Sequence, residues 1–280
     1  MAQTFIDEHQ LSVRSACQLA QISETCYRYQ PKNNEINQML TAKLIQTINT
    51  PHQERWGFQM CFDHLRTGCG HKYNRKRYWR LYQQAQLQLT VKKHQRIQRA
   101  QPEPLMQPEQ PNTVLSIDFM HEQLHDGRSV RILNVTDDYN REALINEAAH
   151  SIPAQRLTQM LDRLIEWNGT PQYIRSDNGP EFISKHYANW ARQRGITLLF
   201  TQPGNPQQNA YIERYNRTLR QELLNQHQFK SIEHLQEQLT DYIWCYNHNR
   251  PHSALGGQTP KRYRQEQQSS NKRNVHATIH

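Results

Sequence analysis

"TVLSIDFMHEQLHDGRSVRILNVTDDYNREALINEAA", residues 113–149, decides the fold. It contains three runs of strand length, "TVLSIDFM" (113–120), "SVRILNVTDD" (129–138) and "EALINEAA" (142–149). Each is rich in β-branched or other apolar residues. The turn words "HDG" and "YNR" separate them. Connections this short join antiparallel neighbours, so the three runs read as a meander. One residue breaks the apolar pattern. Asp118 stands between Ile117 and Phe119, where burying a carboxylate is costly without a partner.

Downstream, helical and strand patterns alternate. "PAQRLTQMLDRLIEW" (153–167) sets Leu157, Met160, Leu161, Leu164 and Ile165 on one helical face. "QYIRS" (172–176) is a short strand that ends at Asp177. Residues 179–195, "GPEFISKHYANWARQRG", read as a helix closed by Gly195. "ITLLFT" (196–201) is a strand, and residues 205–224 and 231–249 are two further helices. The expectation is an α/β fold, a mixed sheet with helices on both faces.

Upstream the chain is all-helical. Residues 11–30 read as two short helices capped by Ser12 and Ser23, in the manner of a helix-turn-helix. Residues 35–48, 57–66 and 74–89 supply three more. The last of these interleaves Arg75, Lys76, Arg77 and Arg80 with Tyr78, Trp79, Leu81 and Tyr82, a pattern suited to phosphate contact and stacking. A basic, then proline-rich stretch follows, with Lys92 and Lys93 at its start. The expected divisions are a helix-turn-helix segment (1–32), a helical DNA-binding domain (33–90), a linker (91–111), a catalytic core (112–225), and a C-terminal helix with a basic tail that completes the core (226–280).

Charge supports that division. The first 100 residues hold 15 Lys and Arg against 6 Asp and Glu, so they carry the whole net charge of +9. A basic third beside a neutral remainder suggests a polyanion-binding arm. No stretch is apolar enough to span a membrane, and "MAQTFIDEHQ" lacks the apolar core of a signal peptide. Five scattered cysteines without a C-x-x-C fit reduced thiols. Cys61, His64, Cys69 and His71 match no common zinc spacing. A soluble, cytoplasmic protein is expected.

Three carboxylates stand out: Asp118, Asp177 at the end of the fourth strand, and Glu213 in the long helix, with 35 residues between the last two. If they converge, their charges repel unless cations intervene. Carboxylate oxygens with water and phosphate are what Mg²⁺ takes. Asp137 and Asp138 are rival acids at the end of the second strand, and read as turn and structural residues.

The words around these acids are "SIDFM", "SDNGPEFIS", "QPGNPQQNAYIERYNRTLRQELL" and "YNHNRPHSALGGQTP". Together they closely resemble the B-frame protein of insertion sequences that encode transposase in two overlapping frames. The spacing resembles the DDE triad of retroviral integrases and related bacterial transposases. This resemblance covers residues 113–265 and, more loosely, the N-terminal part. It implies a ribonuclease-H-like core, with Asp118, Asp177 and Glu213 as catalytic residues that also hold two Mg²⁺ ions (Mn²⁺ as a substitute). It implies a basic residue seven positions after the glutamate, here Arg220, on DNA. Asn209, Tyr211, Arg214 and Arg217 are further candidate DNA contacts, and residues 203–209 a flap. The implied partners are double-stranded DNA (transposon ends and target), further copies of the chain on that DNA, and the A-frame product. The implied location is the bacterial nucleoid. Leu115 stands where relatives often have tryptophan. A non-enzymatic DNA-binding regulator and a simple nuclease are the rival readings.

Overall fold

The computed structural model describes residues 2–28, 35–89, 108–201 and 209–277. By internal contacts the chain forms two units, Met1–Leu40 and Thr41–His280.

In the first unit, α1 (Ala2–His9), α2 (Val13–Leu19) and α3 (Glu24–Tyr27) precede α4 (Glu35–Ile48), which runs on into the second unit. Both expected serine caps form. Ser12 accepts from the Ser15 N–H at 3.2 Å and Ser23 from the Cys26 N–H at 3.0 Å, relieving amides that a helix start leaves unpaired. The sequence reading missed α1, whose Gln3 accepts a 2.6 Å hydrogen bond from the Tyr27 hydroxyl. Tyr29 and the rest of the second expected helix lie outside the described residues.

The second unit continues with α5 (Phe58–Asp63), which widens to a π-turn over His64–Gly68, and α6 (Arg75–Gln84). Phe58 packs edge-on against Trp79 and Tyr82, and Phe62 against Tyr78, so aromatic rings join these helices. Cys61 is buried, with its thiol facing the Trp56 carbonyl at 3.7 Å, and burial pushes its pKa up to about 12.

The sheet follows: β1 (Val114–Gln123), β2 (Ser129–Asp137), β3 (Ala143–Ala149), α7 (Ala154–Asn168), β4 (Tyr173–Ser176), α8 (Lys185–Gln193) and β5 (Thr197–Phe200). Its order is β3-β2-β1-β4-β5. The meander pairs antiparallel, while β4 and β5 run parallel to β1. Two helices then complete the fold, α9 (Ala210–Leu219), which passes into a π-turn over Arg220–Leu224, and α10 (Ile232–His248). Last comes α11 (Pro260–Ala277), where only a basic tail was expected. Lys261 and Arg264 in its first turns pair with the buried Glu142 and tie it to the sheet.

Alternation along β1 fixes which face each residue serves. Leu115 and Ile117 join Leu133 and Val135 in a core under α7 and α8. Met120 joins Val130, Ile132 and Ala148 in a second core under α9 and α10. Asp118 shares the parity of Met120, so it faces α9. Leu115 is buried in the first core, which makes its role packing.

The expected helix over 179–195 is shorter. α8 begins at Lys185, and Ser184 caps it by accepting from the Tyr187 N–H at 3.2 Å. Residues 180–183 form a turn that buries Phe182. Gly195, with φ of 68°, closes the helix as expected. α9 begins at Ala210, so Glu213 lies in its first turn rather than near the middle. Residues 203–208 of the expected flap lie outside the described residues.

Candidate active site

Asp118 is held from two directions. Its Oδ1 accepts from the Phe119 N–H at 2.8 Å, and its Oδ2 from Asn216 Nδ2 at 2.7 Å. Asn216 stands three residues after Glu213, on the same side of α9. Its own Oδ1 accepts from Asn134 Nδ2 at 2.7 Å. Asn134 lies opposite Asp118 in the β1–β2 register and opposite Asn146 in the β2–β3 register. Asn146 in turn accepts from the Tyr215 hydroxyl at 2.6 Å. Amides on three elements therefore set the height of the Asp118 carboxylate against the glutamate helix. The sequence reading missed Asn216; its place one turn beyond Glu213, in "ERYNR", was the available signal.

Asp177 follows directly after β4 and is exposed. Its Oδ1 accepts from the Gly179 N–H at 3.0 Å, closing the turn on itself. A Cβ at Gly179 would come within 3.1 Å of that oxygen, so a side chain there would crowd the carboxylate. Asn178 donates to the Thr201 carbonyl at 2.8 Å and ties the turn to the end of β5. Glu213 is exposed on α9.

Asp118 senses the other two acids. Burial raises the Asp118 pKa to about 6; the Phe119 amide opposes this, and the charges of Asp177 and Glu213 push it further up. Among the described residues, no three of His, Cys, Asp and Glu stand close enough to hold one ion. The donor set nevertheless suits a hard divalent cation. It is all carboxylate oxygen, and its innermost member is held short of full ionisation by its surroundings.

This predicts a pH dependence. The folded protein keeps a proton on Asp118 that the unfolded chain releases near the ordinary carboxylate value. The contribution of Asp118 to stability is therefore greatest below about pH 4 and falls as pH rises through about 6. Asp118→Asn removes the penalty. In urea titrations with chelator, the variant should exceed the parent by about 3 kcal/mol at about pH 8, with the gap closing near pH 4. Equal midpoints at the higher pH would refute it.

The neighbouring acids are engaged elsewhere. Asp137 accepts from the Asn112 N–H at 2.7 Å and the Tyr139 N–H at 2.9 Å. Asp138 is fully buried against Arg175, and burial raises its pKa to about 6 despite that cation. Glu181, placed by sequence at the start of the helical stretch 179–195, pairs with Arg131. The helix starts four residues later, and Ser184 already caps it. The Arg131 guanidinium also lies 4.1 Å over the Phe119 ring, which stacks on Phe182. Strand β1 and the turn after Asp177 are thus clasped together.

The expected cations fall into three groups. On α6, Arg75, Lys76 and Arg80 are exposed, while Tyr78, Leu81 and Tyr82 are buried. Arg75 also donates to Gln59 at 3.0 Å, and Arg77 lies 5.4 Å over the Tyr73 ring. Lys92 and Lys93 lie outside the described residues. On α9, Arg214 and Arg217 are exposed; Glu222, further along the same helical stretch, is buried and bound to Arg250. Arg220 opens the π-turn, donating to Glu122 at 2.9 Å and to the His121 carbonyl at 2.7 Å. Asn209 is buried, its Oδ1 without a hydrogen-bond partner among the described residues. Among those residues no helix is long and apolar enough to cross a membrane.

Comparison with known proteins follows the same lines. Two family models, each described as "Integrase core domain", match residues 108–206 and 194–260. The 31.7 kDa protein of insertion element IS407 from Burkholderia multivorans is 35% identical over 253 residues, spanning 90% of this chain and 90% of its own length. The 39.2 kDa protein of insertion element IS476 from Xanthomonas euvesicatoria is 34% identical over 253 residues, spanning 90% of this chain and 72% of its own. A chain of the simian T-cell lymphotropic virus intasome, solved with PP2A regulatory subunit B56 gamma, aligns with a TM-score of 0.52. It is 15% identical and covers 72% of this chain and 73% of that one. At that identity the likeness is one of fold. The sheet is the ribonuclease-H-like sheet of retroviral integrases, preceded by a helical region.

Proposed function

Because the chain belongs to the insertion-element transposases that carry an integrase core domain, we propose that it nicks the ends of its element and joins them to new DNA. One observation carries the reading. Asp118, Asp177 and Glu213, spread over 96 residues of sequence, come near enough for the last two to act electrostatically on the first.

Asp118, Asp177 and Glu213 would hold the Mg²⁺ or Mn²⁺ that the reaction uses. When bound, the metal supplies the charge that activates an attacking oxygen and stabilises the departing one. The protein's part is placement. Asn216 and the Phe119 amide hold Asp118, the Gly179 turn holds Asp177, and α9 presents Glu213. In the first reaction a water oxygen attacks phosphorus, the P–O3′ bond breaks, and the 3′ oxygen leaves as a hydroxyl. In the second, that 3′-OH attacks a target phosphodiester and a new 3′ oxygen departs. No covalent protein intermediate is needed. Arg220, Arg217 and the cations of α6 are the proposed contacts to DNA phosphates. Two or more copies would act together on the paired ends, with the A-frame product as fusion or partner.

The test mixes this chain, with and without its upstream frame product, with Mg²⁺ and end-labelled DNA of its own element. Strand-joined products are the expected result. Nicks alone would make it a nuclease, and salt-sensitive binding without chemistry a regulator.

A further inference from the structure

The turn between β2 and β3 carries Arg141 with φ of 61°. Long side chains rarely adopt this left-handed backbone, and glycine or asparagine is the usual occupant. The turn thus presents a long cation from a strained position. The guanidinium carbon lies over the ring of Tyr211, 3.4 Å from its centroid, and the group donates one N–H to the Asp138 carbonyl. These two contacts brace the cation against the helix. Tyr211 lies in the first turn of α9, two residues before Glu213. Arg214 lies three residues beyond Tyr211, on the same side of the helix.

Three arginines act electrostatically on the same neighbours, Tyr246 and His252: Arg141, Arg214 and Arg250. Arg250 is neutralised by Glu222. Among the described residues neither Arg141 nor Arg214 forms an ion pair; the carboxylate that Arg141 acts on, Asp138, is already paired with Arg175. The adjacent His252 Nε2 is sealed from solvent without a hydrogen-bond partner among the described residues, and burial with the three cations keeps that imidazole neutral. Two positive charges, one braced on an aromatic ring, thus share the side of α9 that carries Tyr211 and Arg214, turned about the helix from Glu213.

We propose that Arg141, braced on Tyr211, and Arg214 form a subsite for one DNA phosphodiester on the flank of the helix that carries Glu213. A planar guanidinium and a second arginine suit the oxygens of one phosphate. This rests on the reading of the chain as a DNA strand-transfer enzyme, and it adds Arg141 to the machinery.

The test is binding of a fluorescent terminal-repeat duplex by the full chain in the presence of chelator, at several salt concentrations. Arg141→Gly deletes the side chain and relaxes the backbone, so the fold is kept. A matched melting temperature and circular dichroism check this. Arg141→Gly and Arg214→Gln should each weaken binding. The double variant should flatten the slope of log affinity against log salt by about 0.9, the value for one phosphate. Arg141→Lys should recover part of the loss. A scan of single methylphosphonates should then find one linkage whose neutralisation erases the difference between parent and both single variants. An unchanged salt slope, a loss near twice that value, or different linkages for the two arginines would each overturn the proposal. Strand joining by the parent on the same duplex reports separately on the underlying reading, since the binding assay needs no chemistry.

Discussion

Asp118→Asn, Asp177→Asn and Glu213→Gln should each lose DNA cleavage and strand joining while still binding element ends. The expected loss is on the order of 10³-fold or more, because a metal-assisted displacement draws several kcal/mol from the ions these acids would hold. The three changes are nearly isosteric, so they alter charge and leave shape. Their effects on activity should not add, since a site that has lost one ligand has little left for the second change to remove. Their effects on stability should differ. Asp118 is the inner, half-buried member, so its neutralisation should stabilise the metal-free protein. Asp177 and Glu213 are exposed, and their changes should move stability little. Mg²⁺-dependent rise in melting temperature gives a second readout, lost in all three variants. Single-turnover assays on pre-nicked and intact ends separate joining from cleavage. Full activity in any one variant would remove that residue from the site.

The sheet was legible because its signal is local. Alternation in 113–149 and the turn words between the runs give the three antiparallel strands directly. The triad was legible only through motif and spacing. Nothing in composition says that Asp177 and Glu213 lie near Asp118; the parallel pairing of β4 to β1 brings the first, and the packing of α9 on β1 the second. The reading failed where tertiary partners override local pattern. Glu181 sits three residues before a serine that caps a helix perfectly well alone, and its charge goes to Arg131, fifty residues away in sequence. Glu222 has arginines one turn behind it on the same helix, but it pairs with Arg250. The π-turn over Arg220–Leu224 explains part of this. It changes the helical register after Leu219, so residues beyond it no longer follow the spacing counted from Glu213. Asn216 was missed for another reason. A lone asparagine among arginines on an amphipathic helix reads as surface, and only the register of β1 and β2 shows that an amide is needed there.

The largest stability effect should come from Arg250 and Glu222. The guanidinium donates through Nε and Nη2 to both oxygens of Glu222, at 2.8 to 3.1 Å. The Tyr242 hydroxyl adds a third donor at 3.2 Å. Both charges are largely out of solvent, with only 16% and 9% of the two side chains exposed. The attraction holds the chain after α10 onto the π-turn that ends the glutamate helix. A buried pair of this kind owes its cost of disruption to the charge left behind more than to the net gain of pairing. Arg250→Ala or Glu222→Ala alone should therefore destabilise by about 3–5 kcal/mol. Glu222→Gln, which keeps an acceptor oxygen, should cost less than Glu222→Ala. The double change Glu222→Leu with Arg250→Met removes both charges and should be far less damaging than the sum of the singles. Urea unfolding of the four variants measures this, and additive losses would show that the two side chains act independently. Because the same contact anchors the helix bearing Glu213, the folded fraction of each single variant should also join strands more slowly than the parent. The double variant tests whether packing alone can hold α9 in register: if it restores stability but not the joining rate, the charged pair is required for placing Glu213 as well as for holding the fold.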